Sequence, residues 1–180
     1  MHPLIPIRLI SEIPVKYFET PIGLLLEYHN LGRLHDSYEK AQLLIGMCID
    51  NRKHLHLPDN FSYIIREAGA NLRNSEFEVS YAVSVGNIKH IALIGRNQCG
   101  MVNLLAHKKE FIQGLVENGG WSKDQAESHF SKNEPLHEIG NEIQFILSET
   151  NRLRLVYPKI IFAPMMYLVE DDKLYCIKEN

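Results

Sequence analysis

The sequence KHIALIGRNQCG, residues 89–100, gives the clearest indication of how this chain folds. Its apolar part, His90 to Ile94, is short and lacks polar alternation, which is typical of a parallel strand covered on both faces. Gly95 to Gly100 turns the chain out of this strand, and Met101 to Val116 has the apolar spacing of an amphipathic helix. A strand, a turn and a helix in this order predict an α/β fold.

The segments on either side repeat this alternation of strands and helices. Apolar runs of strand length predict strands at Leu43–Ile49 and Phe61–Ile65. Capped or amphipathic runs predict helices at Ser75–Val85, Ser122–Phe130 and Leu136–Leu153. A closing hairpin is predicted for Tyr167–Val169 and Leu174–Ile177, with its turn at Asp171 and Asp172. The predicted architecture is a mostly parallel central β-sheet with an antiparallel edge strand and helices on both faces.

Length and composition predict one domain. The chain has 180 residues, of which 45% are hydrophobic, and this is enough for one sizeable core. We expect residues 1–40 to form an N-terminal arm and residues 41–180 to form the α/β core. The arm contains a helical candidate, Pro21 to Tyr28, whose apolar surface predicts packing against another subunit.

The charge and the cysteine content exclude several classes of partner. The formal net charge is -3, which lacks the strongly positive field of a protein that binds nucleic acid or anionic membranes. Residues 1–14 contain three prolines, an arginine and a glutamate where a signal peptide needs an unbroken apolar run, so we predict a cytoplasmic protein. Cys48, Cys99 and Cys176 are widely spaced, which argues against a secreted disulfide framework.

Two cysteines lie where the predicted strands end. Cys48 ends the first strand and Cys99 follows the third, and the carboxyl ends of parallel strands meet in one crevice. We expect the helix that follows Cys99 to lower the pKa of its thiol through its backbone N–H groups. Asp50 and Arg52 share the first loop with Cys48, so these four side chains form the candidate site.

The motif Cys48-Ile49-Asp50-Asn51-Arg52 resembles the Cys-x-Asp-Ser-Arg motif of the β-class carbonic anhydrases. Further segments resemble the same family in order and spacing, and together they extend from about Leu43 to Ile177: Arg66–Asn71, Ser80–Val83 with Gly86, Lys89–Gly95, Cys99–Met101 and the hairpin at Tyr167–Leu174. Several ordered motifs are more specific than one alone.

The resemblance implies a function as well as a fold. It implies a zinc ion at the interface of a homodimer or higher homo-oligomer, and reversible hydration of carbon dioxide to bicarbonate. Cys48 and Cys99 match two metal ligands of that family. Asp50 and Arg52 match the pair that orients the zinc-bound water, and in some members the matching aspartate itself binds zinc.

The chain departs from the family at Arg96, which occupies the position of the histidine ligand. Arginine does not lose its proton in proteins and cannot bind zinc. A unit positive charge at ~4 Å from a doubly charged ion, with an effective dielectric constant of about 20, costs roughly 8 kcal/mol. Only a side chain that swings outward avoids this cost. Three ligands would remain for zinc, namely Cys48, Cys99 and Asp50, and Asp50 cannot easily bind the metal and pair with Arg52 at once.

Two functions therefore stay open. The first is a divergent carbonic anhydrase whose zinc is held by Cys48, Asp50 and Cys99, with Asp50 and Arg52 as catalytic residues. The second is a zinc-free homologue that binds a small anion through Arg96, Arg52 and the backbone at Gly100, or that has a regulatory role. Buried structural thiols and a strand-end ion pair would explain the same residues without any activity.

Overall fold

The computed structural model describes residues 3–52 and 54–179, and in these residues six strands form one mixed sheet that is flanked by five α-helices. The strands are β1 (Leu4–Pro6), β2 (Leu43–Met47), β3 (Ser62–Arg66), β4 (His90–Arg96), β5 (Ile161–Leu168) and β6 (Lys173–Ile177). The helices are α1 (Pro21–Leu31), α2 (Glu76–Ser84), α3 (Lys108–Gly119), α4 (Lys123–His137) and α5 (Glu142–Val156).

The strand order is β1-β6-β5-β4-β2-β3. Strands β3, β2, β4 and β5 are parallel, whereas β6 pairs antiparallel with β5 and with β1. The predicted α/β architecture is confirmed. Strand β1, which the sequence did not predict, forms the antiparallel edge, because it pairs with β6 beyond the predicted hairpin.

Strands β2 and β4 lie side by side in the middle of the sheet, with Met47 opposite Ile94. All five residues of β2 are buried, as their unbroken apolar sequence predicts. Strand β4 continues two residues beyond Ile94, because its pairing with β5 extends to Arg96 opposite Tyr167. Arg96 is therefore the last residue of a strand and not part of the following turn.

Helices cover both faces of the sheet. Helix α1 packs on one face, where Leu25 and Leu26 are completely buried in a cluster with residues of β2, β4 and β5. Helices α2 and α5 pack on the other face through residues such as Val79 and Leu153. The prediction that α1 presents its apolar surface to another subunit is wrong, because that surface is buried in the core of the same chain.

The connection after β4 differs from the predicted helix at Met101–Val116. Residues 100–103 form turns, a 3₁₀ helix spans Leu104–His107, and α3 begins only at Lys108. The Glu138 carboxylate, next to α4, accepts hydrogen bonds from the backbone N–H groups of Asn103 and Leu104, which holds this irregular segment in place.

The boundary between α4 and α5 also differs from the prediction. Helix α4 includes Pro135, and α5 begins at Glu142 behind the capping side chain of Asn141. The predicted start at Leu136 was therefore wrong, because the apolar spacing gave no sign of this cap. Across the described ranges 3–52 and 54–179, no helix is long and apolar enough to cross a membrane.

Candidate functional site

Cys48 and Cys99 lie together at the carboxyl ends of β2 and β4. Cys48 directly follows β2, and Cys99 lies in the turn after β4. Their exposed fractions are 3% and 7%, and both belong to one small apolar cluster with Ile139. A hydrogen bond joins the two thiols. We call these two residues the thiol pair, and the structure brings them together as the sequence predicted.

A second group of side chains lies in the same cleft, and we call it the ion cluster: Asp50, Arg52 and Arg96. The Asp50 Oδ1 atom accepts hydrogen bonds from the backbone N–H of Arg52 at 2.8 Å and from its Nε at 3.1 Å. Asp50 Oδ2 lies 3.0 Å from Arg52 Nη2 and 2.5 Å from Arg96 Nη2. Two guanidinium groups therefore hold one carboxylate.

The Arg96 side chain points into the protein, with only 6% of it exposed. Its Nη1 donates to the backbone carbonyls of Asn97, at 3.0 Å, and of Gln98. Its Nε is buried and has no hydrogen-bond partner in the described part of the chain. The Asp50 carboxylate therefore compensates the buried charge, and the outward orientation that would suit a zinc ion is not adopted.

The electrostatics of the two groups differ. Hydrogen bonds from the Arg52 side chain, followed by its backbone N–H and the charge of Arg96, lower the pKa of Asp50 to about 2 against the opposing effect of burial. The hydrogen bond with Cys48 and burial raise the pKa of the Cys99 thiol well above its usual range. The predicted lowering was wrong, because turns and a 3₁₀ helix follow Cys99 in place of an α-helix.

Three contacts of the cleft were not assigned from the sequence. Arg66, at the end of β3, donates from Nη1 to the carbonyl oxygens of Cys48 at 3.2 Å and Asp50 at 3.3 Å. Glu142 accepts a hydrogen bond from the backbone N–H of Cys99 at 3.3 Å. Glu170 accepts hydrogen bonds from the side-chain amides of Asn97, at 2.6 and 2.7 Å, and of Gln98, at 2.9 Å. Arg66 and Glu170 lie in segments that resemble the family, Arg66–Asn71 and the hairpin at Tyr167–Leu174, whereas Glu142 does not.

The glycines on either side of the Arg96–Cys99 segment have different surroundings. A Cβ atom on Gly95 would lie 2.6 Å from Ile146 Cγ1 and 2.9 Å from Met166 Sδ, so β4 approaches α5 too closely for a side chain. A Cβ on Gly100 would have no neighbour within 4 Å. The cleft therefore has open space beside Gly100.

Two histidines, His54 and His56, lie in the loop after Asp50, and their observed contacts are with other residues. The His56 ring stacks on His29 with 5.5 Å between the ring centroids, and the His56 backbone N–H donates to His29 Nδ1. The His54 backbone interacts with the hydroxyl of Tyr167. In residues 3–52 and 54–179, no three His, Cys, Asp or Glu side chains form a group that could hold a metal ion.

These residues do not fit a catalytic zinc site. Such a site needs three protein ligands and an open position for water. The thiol pair supplies two, and the third candidate, Asp50, has both carboxylate oxygens hydrogen-bonded to arginines. The Arg96 guanidinium approaches this carboxylate more closely than any other group, and a dication there would meet its positive charge.

Comparisons with known proteins test the fold. No protein-family model matches the sequence, and no curated protein matches it. A β-carbonic anhydrase isoform from Trichomonas vaginalis matches with a TM-score of 0.65 and 16% identity over 82% of this chain and 88% of its own. Carbonic anhydrase from Glaciozyma antarctica matches with a TM-score of 0.61 and 20% identity, over 78% and 85% of the two chains.

A third solved structure, carbonic anhydrase from Streptococcus mutans, matches with a TM-score of 0.58 and 18% identity over 92% of this chain and 100% of its own. Such low identities bear on architecture alone, since one fold hosts several activities. The architecture that the strand-end motifs predicted is confirmed: this chain has the β-carbonic anhydrase fold.

Proposed function

We propose that this protein is a zinc-independent relative of the β-carbonic anhydrases that binds bicarbonate in the cleft between the ends of β2 and β4. The observation that carries this proposal is the 2.5 Å contact between Arg96 Nη2 and Asp50 Oδ2. It places a permanent cation against the carboxylate that zinc would need as its third ligand. The protein therefore keeps the cleft and a positive charge but loses the zinc hydratase chemistry.

The charges of the cleft favour a small anion. Three guanidinium groups, those of Arg52, Arg66 and Arg96, surround the loop that carries Asp50. Arg52 is the most accessible member of the ion cluster, with 44% of its side chain exposed. Its Nη1 reaches Gln98 Oε1 only at 3.4 Å, so a stronger acceptor can replace that contact. A planar oxyanion accepts two parallel hydrogen bonds from such a group.

Glu170 is the natural competitor of a bound anion. Its carboxylate is held at the rim of the cleft by Asn97 and Gln98, and its charge interacts with that of Arg52. Any anion that approaches Arg52 meets this negative charge. We therefore expect Glu170 to weaken the binding of an anion at Arg52.

The test is a titration with ¹³C-labelled bicarbonate at constant pH and ionic strength, with chloride as the matched salt. We expect binding with a Kd on the order of 1 mM. Arg52→Met should weaken binding at least about 10-fold, because it removes a charged hydrogen-bond donor. Glu170→Gln should strengthen it, whereas Glu110→Gln, an exposed control in α3, should leave it unchanged.

Two results would overturn the proposal. One is a bicarbonate affinity that does not respond to Arg52→Met. The other is a protein that retains one equivalent of zinc after purification without chelator and hydrates carbon dioxide. The second result would favour the competing hypothesis, in which Cys48, Cys99 and Asp50 hold zinc and Arg52 supports catalysis.

The homodimer and the cytoplasmic location remain predictions from the sequence. The homodimer is supported by an exposed apolar patch at the β3 edge of the sheet. Tyr63 projects from β3, Phe77 and Tyr81 project from α2, and Val85 follows α2. Ile64, the next residue of β3, is exposed on the opposite face of the sheet. An exposed patch of this kind on an edge strand suits a second copy of the same chain.

A further inference from the structure

We propose that the thiol pair, Cys48 and Cys99, binds one Cu(I) ion between its two sulfur atoms. This site goes beyond the bicarbonate site proposed above and does not depend on it. It arises because Arg96 pairs with Asp50, the oxygen donor of the same cleft, so that Asp50 is not available beside the two sulfur donors. A sulfur-only pair in apolar surroundings remains.

The donor set determines which metal fits. Thiolate sulfur is a soft ligand that suits Cu(I), zinc and iron–sulfur clusters, whereas magnesium, calcium and manganese prefer oxygen. Iron–sulfur clusters are held by four cysteines, and only two are present here. Zinc needs four ligands in a tetrahedron, and the thiol pair supplies two. A monovalent soft ion accepts a site with few donors. The thioether of Met101, which packs against the same cluster, adds a further soft atom to its wall.

The side chains that pack against the thiol pair are apolar. Ile139, Val102 and Phe145 pack around the two cysteines, and these side chains offer no oxygen or nitrogen to a metal. Both cysteines are almost completely buried. A shell of this kind keeps water from a bound ion and protects Cu(I) from oxidation.

The charge of Arg96 distinguishes Cu(I) from zinc. The binding step is Cu⁺ + 2 RSH → [Cu(SR)₂]⁻ + 2 H⁺, so that two S–H bonds break, two Cu–S bonds form and both protons pass to solvent. The complex carries one negative charge. Arg96 interacts electrostatically with Cys99, and Arg52 interacts with Cys48. With the same two thiolates a zinc complex would carry no net charge, so these cations stabilise the anionic copper complex more than a zinc complex.

The experiment is an anaerobic titration of the fully reduced protein with the Cu(I)–bicinchoninate complex, whose colour reports transfer of the metal. Wild-type protein should take up one equivalent. Cys48→Ser and Cys99→Ser should each lose more than about 100-fold in affinity, since loss of an outer partner alone costs 10–100-fold. Cys176→Ser is the matched control, because Cys176 is also a buried thiol but lies in β6.

A second measurement covers variants that fail to fold. X-ray absorption of wild-type protein with one equivalent of Cu(I) should show sulfur as the nearest neighbours of copper. Nitrogen or oxygen neighbours would overturn the proposal, as would failure of the wild type to take copper from bicinchoninate. Equal loss of copper in Cys176→Ser would overturn it as well. The bicarbonate titration is carried out without copper, so either proposal can fail alone.

Discussion

The thiol pair and the ion cluster come from the same two loops but have opposite character. Cys48 and Cys99 are packed among apolar side chains and joined by one hydrogen bond. Asp50, Arg52 and Arg96 are charged and joined by several hydrogen bonds and ion pairs. The family that the sequence resembles uses residues at these positions around one zinc ion. Here they form two separate groups.

The comparison shows how one side chain, that of Arg96, can keep two cysteines and an aspartate from binding one metal ion together. A histidine at position 96 would be a neutral donor, whereas arginine brings a charge that must be paired once it is buried. The nearest carboxylate, Asp50, fills this need. The fold is retained because β2 and β4 are held by the sheet and not by a metal ion.

The variant Arg96→His should have the largest effect, because it should allow the thiol pair and Asp50 to bind one zinc ion together. The substitution removes the positive charge, releases Asp50 Oδ2 and adds an imidazole donor beside the two thiols. We expect zinc affinity to rise by on the order of 10³-fold or more, because each 1.4 kcal/mol of relieved repulsion gives a tenfold gain. Competition with a chromophoric zinc chelator measures it.

Arg52→His is the matched control for this prediction. It removes one positive charge from the same carboxylate, but residue 52 lies in the exposed loop after Asp50 and not at the end of β4. We expect little change in zinc affinity. An unchanged affinity in Arg96→His would mean that Arg96 does not divide the site.

The sequence could predict where these residues meet and that Asp50 pairs with Arg52, but not that Arg96 joins this pair. Unbroken apolar runs identified β2 and β4, and parallel strands place their carboxyl ends at one edge, so the proximity of Cys48 and Cys99 followed. The direction of the Arg96 side chain did not follow, because it depends on two extra residues of β4 and on the carbonyls of the next turn. Contacts from Glu142 and Glu170 join residues far apart in the chain, and no local pattern indicates them.

The two arginines of the ion cluster should differ, by a smaller amount, in how much each stabilises the folded protein. Arg96→Met leaves Asp50 with one partner and removes a buried ion pair, so we expect a loss of about 3 kcal/mol in the free energy of unfolding. Arg52→Met removes a pair whose arginine is largely exposed, and we expect a loss of at most about 1 kcal/mol. Urea unfolding of the three proteins measures both values. Equal losses would contradict the difference in burial between the two pairs.

The smallest effect is the response of the ion cluster to acid. The pKa of Asp50 is lowered from 3.8 to about 2 in the folded protein. Between these values the unfolded chain binds a proton that the folded chain does not. The stabilisation is therefore complete above about pH 4 and is lost as the pH falls to about 2. The shift corresponds to about 2 kcal/mol.

The comparison of wild type with Asp50→Asn isolates this contribution from those of other carboxylates. Glu138, Glu170 and Glu179 also have lowered pKa values and add to the acid sensitivity of both proteins equally. Wild type should be the more stable protein at pH 5, and the gap in unfolding free energy should close as the pH approaches 2. The thiol pair adds nothing here, because the raised pKa of Cys99 keeps that thiol protonated throughout this range. Parallel pH profiles of the two proteins would show that the ion cluster does not stabilise the fold through the charge of Asp50.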